Sequence, residues 1–330
     1  MLIRFFKSSF YIQYIVLIAI AVVLWLRAYS APGQPYDTSD TTPLFNLLTG
    51  VLPADPLIRS IPALALLIIE ALLLNLFLIR HELLPKNSLL GALLFILLMS
   101  QVPYAISLNP VLCAGIFIIP AFDRILNTYG KADPTKDVFS AAFLLALASL
   151  FYFPVVFLLV LLFLSFVIFG TFSIRILFLA LAGIFAVYLY LLVYYFLCDK
   201  LEGQYCLYIV WFSSFPTLNP VYGISQYIVW GMIAMLFITA MLHSVTHMNE
   251  WNIKVRKKVL LNLWFIVLAF ATLVYEGDML HLGLLLASIP VSVVISAYYA
   301  NRKKTGILIE LYFMLLLFAV LINNLIAPVC

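Results

Sequence analysis

Two acidic residues near the start of the chain, Asp37 and Asp40, lie three positions apart beside Tyr36 in a polar stretch. Arg27 and Arg59 flank this stretch on its two sides. A carboxylate can act as a general base toward an acceptor hydroxyl, and an arginine can hold a departing phosphate. The pattern predicts a site for group transfer from a phosphate, with Asp37 or Asp40 as the catalytic base. Arg27, Arg59 and Tyr36 would bind the substrate.

The same stretch also has a simpler interpretation. Its Asp, Ser, Thr, Pro and Gly residues favour turns, and its short polar side chains can cap the helix that follows. That helix is predicted to begin near Pro43. Under either interpretation, residues 29–60 are expected to form the first external loop, with short amphipathic helices.

The elements that would position these residues are set by a strongly apolar composition. Hydrophobic residues make up 66% of the chain and charged residues 10%, with a mean hydropathy of +1.16. A water-soluble domain carries about 25% charged residues, and a transmembrane barrel shows alternating segments of about ten residues. The long Leu-, Ile- and Phe-rich runs of this chain do not alternate. They predict an all-α polytopic transmembrane helical bundle, with residues 1–330 forming a single integral membrane domain.

Apolar runs of about 18 residues or more are long enough to cross a bilayer as helices. The chain is predicted to contain about 11 spans, of which several are short. Around Pro154 the sequence leaves two alternatives, one long kinked helix or two short helices. The predicted spans cover residues 10–28, 61–80, 89–106, 109–122, 138–153, 155–172, 176–198, 224–243, 259–275, 281–299 and 306–327.

The distribution of cations tests this arrangement independently. With the N-terminus in the cytoplasm, every Lys and Arg except Arg27, Arg59 and Lys200 falls on the cytoplasmic side. Cytoplasmic connectors of membrane proteins carry an excess of these residues. The pattern predicts a multi-pass protein of the bacterial inner (cytoplasmic) membrane, with a cytoplasmic N-terminus and an external C-terminus. It also accounts for the net charge of +4 without a nucleic-acid partner.

Two polar residues stand inside a predicted span. Glu70 lies near the centre of the span 61–80, and Asn75 lies five residues further on. An ionisable residue at that depth costs about 3 kcal/mol on insertion scales, and such residues usually face a cavity or a partner. The sequence leaves two interpretations open for this intramembrane polar pair. Glu70 is either part of a buried, proton-coupled site or a protonated residue that ties two helices together.

A second polar cluster is predicted on the external side. Glu276, Asp278 and His281 lie close together in a short connector between two spans. If this connector meets the first external loop, the three residues would complete one acidic substrate-binding pocket. The alternative is a short polar hairpin with no ligand.

The histidine pair His243 and His247 has the i, i+4 spacing that can bind zinc. The zinc-protease motif requires Glu directly after the first His, and Ser244 occupies that position. An amphipathic helix on the membrane surface, continuing through Glu250 and Lys254, accounts for the pattern better. No metal site and no cofactor are predicted, except that a divalent cation would accompany phosphate transfer.

Four short elements follow one another between Thr42 and Glu82. They are a Pro-Leu-aromatic helix start, a break, an Arg-Ser-Ile-Pro entry into a helix, and a basic turn, at Pro43–Phe45, Pro53–Pro56, Arg59–Pro62 and Arg80–Glu82. This order resembles the segment after the first external loop in membrane glycosyltransferases of the GT-C superfamily. Weaker likeness at Gly91–Tyr104 and Asp137–Val156 extends the resemblance to about one third of the chain.

The resemblance implies a GT-C-like architecture and a function. The protein would transfer a sugar from a polyprenyl-phosphate donor at the external membrane face, with membrane lipids as partners. The chain departs from the pattern because Thr42 replaces the first proline of a pair and because the first loop is short. The chain also resembles an uncharacterised bacterial inner-membrane family that shares this framework.

The sequence also leaves two other classes of function open. The first is a non-enzymatic protein of the cell envelope that binds lipid or scaffolds a complex; no protein partner is predicted. The second is a transporter, in which Glu70 would be the coupling residue. Transporters often contain inverted repeats, and the sequence shows no internal repeat.

Overall fold

The computed structural model describes most of the chain as a bundle of helices. The described residues are 2–7, 11–27, 42–53, 55–213, 222–248, 251–273, 280–301 and 307–326. Within these ranges the chain forms α-helices, two short 3-10 helices and connecting turns, with no strand among the described residues. The prediction of an all-α protein is confirmed.

The helices are named here in chain order. The α-helices are α1 Leu2–Phe6, α2 Tyr11–Leu24, α3 Pro43–Val51, α4 Pro56–Arg80, α5 Leu90–Met99, α6 Pro110–Asn127, α7 Thr135–Phe151, α8 Leu159–Phe169, α9 Ile174–Leu197, α10 Leu201–Ser213, α11 Ile224–Thr246, α12 Ile253–Thr272, α13 Leu280–Asn301 and α14 Ile307–Ile326. The 3-10 helices are Pro103–Ala105 and Phe153–Leu158.

Six of the described helices are long and apolar enough to cross a membrane. They are Leu57–Arg80 of α4, then α6, α9, α11, Leu280–Ala300 of α13, and α14, with 18 to 24 residues each. At 1.5 Å per residue these lengths match a hydrocarbon layer of about 30 Å. Shorter apolar helices cover Tyr11–Leu24, Leu90–Met99 and Phe153–Phe169.

The centre of the bundle is formed by α5 and α13, which pack against each other. All ten residues of α5 are buried and none is charged. A helix that is apolar on every side is expected where other helices enclose it. Three serines of α13 are buried as well, and each hydroxyl donates to a carbonyl three residues earlier in its own helix: Ser288, Ser292 and Ser296. These hydroxyls are therefore satisfied within their own helix, and that of Ser288 also lies 2.9 Å from the Met99 sulfur of α5.

Apolar side chains also cover the outside of the bundle. Phe178 and Phe185 on α9 are each 64% exposed, and Met235 and Leu242 on α11 are each 61% exposed. Water-soluble monomers rarely expose contiguous apolar surface of more than a few hundred Å². The outer helices therefore present the surface expected next to lipid chains.

Pro154 separates two helices. Helix α7 ends at Phe151, the 3-10 turn Phe153–Leu158 follows, and α8 begins at Leu159. Proline has no backbone N–H and its ring clashes with the preceding turn, so an α-helix cannot continue regularly through it. Of the two alternatives left by the sequence, the structure has two short helices.

Candidate functional site

Five of the residues predicted to form a site lie outside the described part of the chain. They are Tyr36, Asp37, Asp40, Glu276 and Asp278. Their predicted roles as base and substrate ligands stay predictions.

The two predicted phosphate-binding arginines lie in the described residues, and both donate to backbone carbonyls. Arg27 is buried, and its guanidinium donates to the Asn324 carbonyl at 2.9 Å. Arg59 donates to the carbonyls of Pro53 at 2.8 Å and Thr49 at 2.9 Å. The last carbonyls of a helix lack partners inside it, so Arg59 caps the end of α3. Each arginine thus joins two helical segments of the fold.

A buried group of polar side chains, here called the amide cluster, lies at the same end of the bundle as Arg27. The Asn323 side-chain amide donates to Gln226 Oε1 at 2.8 Å. The Gln226 amide donates to the Gln101 carbonyl at 3.1 Å, and the Asn324 amide donates to the carbonyls at the ends of α2 and α5. Four separate segments, α2, the end of α5, α11 and α14, are therefore joined by hydrogen bonds that are shielded from solvent.

A groove, here called the lateral groove, lies beside the amide cluster and encloses about 280 Å³. Its walls and floor come from two helix faces, each with the i, i+3, i+4, i+7 spacing that places side chains in one row. The α11 row is Trp230, Ile233, Ala234 and Phe237, and the α13 row is Leu284, Ala287, Ser288 and Val291. Leu98 and Gln101 in and after α5, Phe270 of α12 and Leu280 complete the lining.

The two ends of the lateral groove differ in polarity. Gln101 and Trp230 lie at the end near the amide cluster, whereas Phe237 and Val291 lie at the other end. The indole Nε1 of Trp230 is buried and has no hydrogen-bond partner among the described residues. The hydroxyl of Ser288 donates within its own helix. The arrangement suits an occupant with a long apolar part and a polar part at one end.

The predicted intramembrane residue Glu70 is fully buried where α4 packs against α6. Its carboxyl group lies against Gly115 and beside the backbone of Ile116, both on α6. A methyl group on Gly115 of α6 would lie 2.7 and 2.8 Å from these two oxygens, which is closer than van der Waals contact allows. Glycine at 115 therefore makes room for the carboxyl group, and the two helices touch directly at this point.

Asn75 points to a different helix. Its side-chain amide donates to the Ser88 carbonyl at 2.9 Å, and Gly91 of α5 lies against its Oδ1. Glu70 and Asn75 thus serve separate contacts, one with α6 and one with α5, and do not form a shared site.

The C-terminal end of α4, at Arg80, is here called the basic end. It carries a chain of hydrogen-bonded charged and polar side chains, most of them buried. Asp123 accepts hydrogen bonds from Arg80 at 2.6 Å and from Asn127 at 3.2 Å. His81 Nε2 lies 2.8 Å from Asp123 Oδ1, and Lys258 Nζ lies 2.8 Å from His81 Nδ1. An ammonium group only donates, so Nδ1 accepts and Nε2 carries the proton that it donates to Asp123. The chain links α4, α6 and α12.

In the sequence His81 stands out only as part of a basic turn, and nothing near it indicates its partners. Lys258 is 177 residues away from His81 along the chain. The only sequence signal was the charged pair Asp123 and Arg124 directly after an apolar run. Helix α6 continues through both residues. Each of them has a partner: Asp123 contacts His81, and Arg124 pairs with Asp137 at 3.3 Å.

The stability of the fold is expected to depend on pH through His81. Burial lowers the pKa of His81 below its ordinary value of 6.5; the hydrogen bond to Asp123 opposes this, and the nearby charges of Lys258 and Arg80 add to it. The folded state therefore binds fewer protons, and stability is lost as the pH falls below 6.5.

The measurement is thermal unfolding in detergent at a series of pH values from neutral to mildly acidic. His81→Gln keeps one donor and one acceptor but does not titrate, so this variant should show a flatter profile. Parallel profiles for the wild type and the variant would contradict the assignment.

The histidine pair is stacked, with the ring centroids of His243 and His247 4.2 Å apart. Among the described residues, no group of three or more His, Cys, Asp or Glu side chains could hold a metal ion. Glu250 lies outside the described residues. The helix that carries His243 is α11, which also forms one wall of the lateral groove.

Taken together, these features define a bundle of apolar helices with a polar cluster at each end and a groove along one flank. Residues 54–327 match the DUF6427 family, a family of unknown function, and the chain belongs to it. Comparisons with curated proteins and with solved structures found no match.

Proposed function

We propose that this chain is a non-enzymatic, multi-pass protein of the bacterial inner membrane that holds the hydrocarbon chain of a bilayer lipid in the lateral groove. The observation that carries this proposal is the groove itself, a cavity of about 280 Å³ that has Gln101 and Trp230 at one end and, apart from Ser288, an apolar lining elsewhere. Ligand cavities of about 300 Å³ and above typically bury most of a small molecule, so the groove suits a single chain.

The membrane placement is supported by the six long apolar helices and by the charges. Arg80, Lys254 and Lys258 lie at the basic end, and this excess of cations supports a cytoplasmic position for that end. The amide cluster and the polar end of the groove would then face the external side. The shorter apolar helices would supply further spans of the predicted arrangement.

A lipid chain is the occupant that the surroundings of the groove favour. Ala234 on α11 and Phe270 on α12 line the groove and are exposed. The neighbouring outer surface of α11 is apolar, with Met235 and Ile238 exposed. In a bilayer this surface would meet acyl chains. A chain could therefore enter the groove sideways from the hydrocarbon layer, without passing through water.

The test uses a phospholipid that carries a photoreactive diazirine on one acyl chain. The protein is reconstituted in nanodiscs with this probe, irradiated and digested, and the labelled peptides are identified by mass spectrometry. Wild-type protein should be labelled on the peptide that contains Leu284, Ala287 and Val291, since these residues line the groove.

Filling the groove should strongly reduce this labelling. Ala234→Phe adds a ring at the exposed rim, and the labelling of the α13 peptide should fall at least about fivefold, as expected when a ligand loses about 1 kcal/mol or more. Leu242→Phe, also on α11 but not part of the lining, is the matched control and should label normally. Ala287→Phe fills the floor as a second variant. Unchanged labelling in both groove variants would disprove the proposal.

Sugar transfer from a polyprenyl-phosphate donor is the second proposal, because a polyprenyl chain is also an apolar chain that the groove could hold. Catalysis would depend on Asp37 and Asp40, with a divalent cation at the phosphate. The double variant Asp37→Asn, Asp40→Asn should abolish sugar transfer from a labelled donor in membranes, and Glu202→Gln should not. Transfer that survives in the double variant would refute this site.

The third class, a transporter that uses Glu70, has less support. Glu70 packs directly against Gly115, and this contact supports a role in joining α4 to α6. A substrate pathway at this depth would require the two helices to separate.

A further inference from the structure

Helix α12 begins with four cations and has no acid. The cations are Lys254, Arg256, Lys257 and Lys258. The N-terminal end of a helix is already positive, so cations there do not stabilise the helix that carries them. Their role therefore lies in contacts outside α12.

Two of the four cations are used inside the fold. Lys258 is buried, and its Nζ lies 2.8 Å from Nδ1 of His81. Lys254 Nζ lies 3.8 Å from a carboxyl oxygen of Glu82. These two cations connect the start of α12 to the end of α4.

The other two cations are available to a ligand. Arg256 is exposed, and Lys257 is half-buried with its Nζ 5.4 Å from the centroid of the Tyr129 ring. Within the described part of the chain, neither side chain has a carboxylate within 4 Å. An aromatic ring attracts a cation but does not neutralise its charge.

The buried acids at this end of the bundle are paired with other cations. Asp123 contacts Arg80 at 2.6 Å, and Asp137 pairs with both Arg124 and Lys131. The outer surface at the start of α12 therefore keeps a net positive charge. An anion from outside the chain would neutralise it.

At the external end, by contrast, the described residues that were predicted to bind a substrate have partners within the fold. Arg27 and Arg59 donate to backbone carbonyls, and Nδ1 of His281 lies 3.4 Å from the hydroxyl of Tyr222. The charges therefore favour an anionic ligand at the basic end.

The outer face of α12 continues from the cations into an apolar row. Leu260, Trp264 and Val267 follow Arg256 at intervals of four, four and three residues, which places the four side chains on one face. The three apolar residues are 38%, 41% and 55% exposed, and none of them lines the lateral groove. The row runs for about 16 Å and has its cations at one end only.

We infer that this surface, here called the α12 site, binds an anionic phospholipid of the bilayer leaflet next to the basic end. The phosphate lies at Arg256 and Lys257, and an acyl chain lies along the row from Leu260 to Val267. An arginine side chain can donate two parallel hydrogen bonds to phosphate oxygens, and cations near a membrane surface attract anionic lipids. The inference rests on the membrane placement in the proposed function but not on an occupied lateral groove.

The experiment compares two phospholipid probes that differ only in headgroup. One is phosphatidylglycerol, which is anionic, and the other is phosphatidylethanolamine, which is zwitterionic; each carries a diazirine on the part of one acyl chain nearest the headgroup. The protein is placed in nanodiscs of zwitterionic lipid with a trace of either probe, and labelled residues are located by fragmentation mass spectrometry. In wild-type protein the anionic probe should label residues 260–267 roughly tenfold more than the zwitterionic probe, as expected for two cations near the headgroup.

The double variant Arg256→Gln, Lys257→Gln removes both charges and should abolish the preference for the anionic probe. Lys136→Gln, Arg175→Gln is the matched control, because both residues are exposed cations near Asp133, away from the α12 row. This control removes the same charge from the chain and should keep the preference. Thermal unfolding at the wild-type temperature would show that each variant is folded.

A soluble anion tests whether the lipid itself is recognised. Glycerol phosphate, added in excess at constant ionic strength, carries the phosphate without an acyl chain and should leave the labelling of the row unchanged. Complete loss of the preference in its presence would show a site for a free phosphate compound and would overturn the assignment to a lipid.

The other failures are also distinguishable. Equal labelling of the row by both probes in wild-type protein, or an equal loss of preference in both double variants, would disprove the α12 site. Ala234→Phe should leave labelling of the row unchanged, so an empty lateral groove does not affect this result. If neither probe labels the exposed faces of α9 and α11, the membrane placement itself fails.

Discussion

Replacing Asp123 with alanine is expected to lower the free energy of unfolding by about 3–5 kcal/mol. Asp123 is buried, and it accepts hydrogen bonds from Arg80 and Asn127 and contacts His81 Nε2 at 2.8 Å. Without the carboxylate, Arg80 would lose the anion that it contacts directly, and the buried Lys258 would keep only the nearby charge of Glu82. An uncompensated buried charge is more costly than the loss of a salt bridge on the surface.

The loss can be measured by thermal or denaturant unfolding in detergent micelles. Glu202→Ala is a suitable control, because Glu202 is an exposed acid on α10. Asp123→Asn keeps one acceptor for the hydrogen bonds but removes the charge, so its stability should lie between those of the wild type and Asp123→Ala. Equal stability of Asp123→Ala and the control would show that this buried chain does not hold the basic end together.

Gly115→Ala is expected to destabilise the protein by about 1–3 kcal/mol, the usual cost of overpacking. The new methyl group would lie less than 3 Å from both carboxyl oxygens of Glu70, so the buried Glu70 side chain would have to shift or α4 and α6 would have to move apart. Glu70→Ala removes the carboxyl group and leaves space at the same place. In the double variant the methyl group added at position 115 would enter that space.

A double-mutant cycle separates this steric effect from general damage to the helix. The two changes should be coupled by about 0.5–3 kcal/mol, so that Gly115→Ala costs less in the Glu70→Ala background. Gly50→Ala is the glycine control, since a methyl group at position 50 would meet nothing within 4 Å. Additive free energies for the Gly115 and Glu70 changes would rule out direct contact between them.

The bounds of the longest apolar helices could be predicted well from the sequence. The predicted span 224–243 corresponds to Ile224–Thr246, and the predicted span 176–198 corresponds to Ile174–Leu197. Long apolar runs form helices because a lipid environment requires every backbone polar group to be satisfied within the segment. The predictions were least accurate where charged residues continue a helix. The span was predicted to begin at residue 259, but helix α12 begins at Ile253. The cationic residues before Val259 belong to the same helix.

The short central helix could not be predicted from hydropathy alone. The apolar run at 89–106 predicted a full span, but α5 ends at Met99 and a 3-10 turn follows at Pro103. The break between them leaves the carbonyls of Ser100 and Gln101 free to accept hydrogen bonds from Asn324 and Gln226. Those hydrogen bonds are tertiary contacts between segments more than 100 residues apart, which leave no local pattern in the sequence.

The candidate site could be predicted only in part. Arg27 and Arg59 stand out in the sequence as cations beside a polar loop, but in the structure they donate to backbone carbonyls. The lateral groove consists of apolar rows on α11 and α13 together with Gln101 and Phe270. Such rows look the same in a sequence whether they pack against a helix or line a cavity. Only the three-dimensional arrangement distinguishes the two cases.

The central claim is that the lateral groove holds a lipid chain, and a cryo-EM map of the protein in lipid nanodiscs tests it most directly. We expect an elongated density between the α11 row and the α13 row, extending from Trp230 to Phe237 and wider at the Trp230 end. The density should be missing in the Ala234→Phe variant prepared in the same way. An empty groove in a wild-type map that resolves the side chains of Trp230 and Phe237 would contradict the claim.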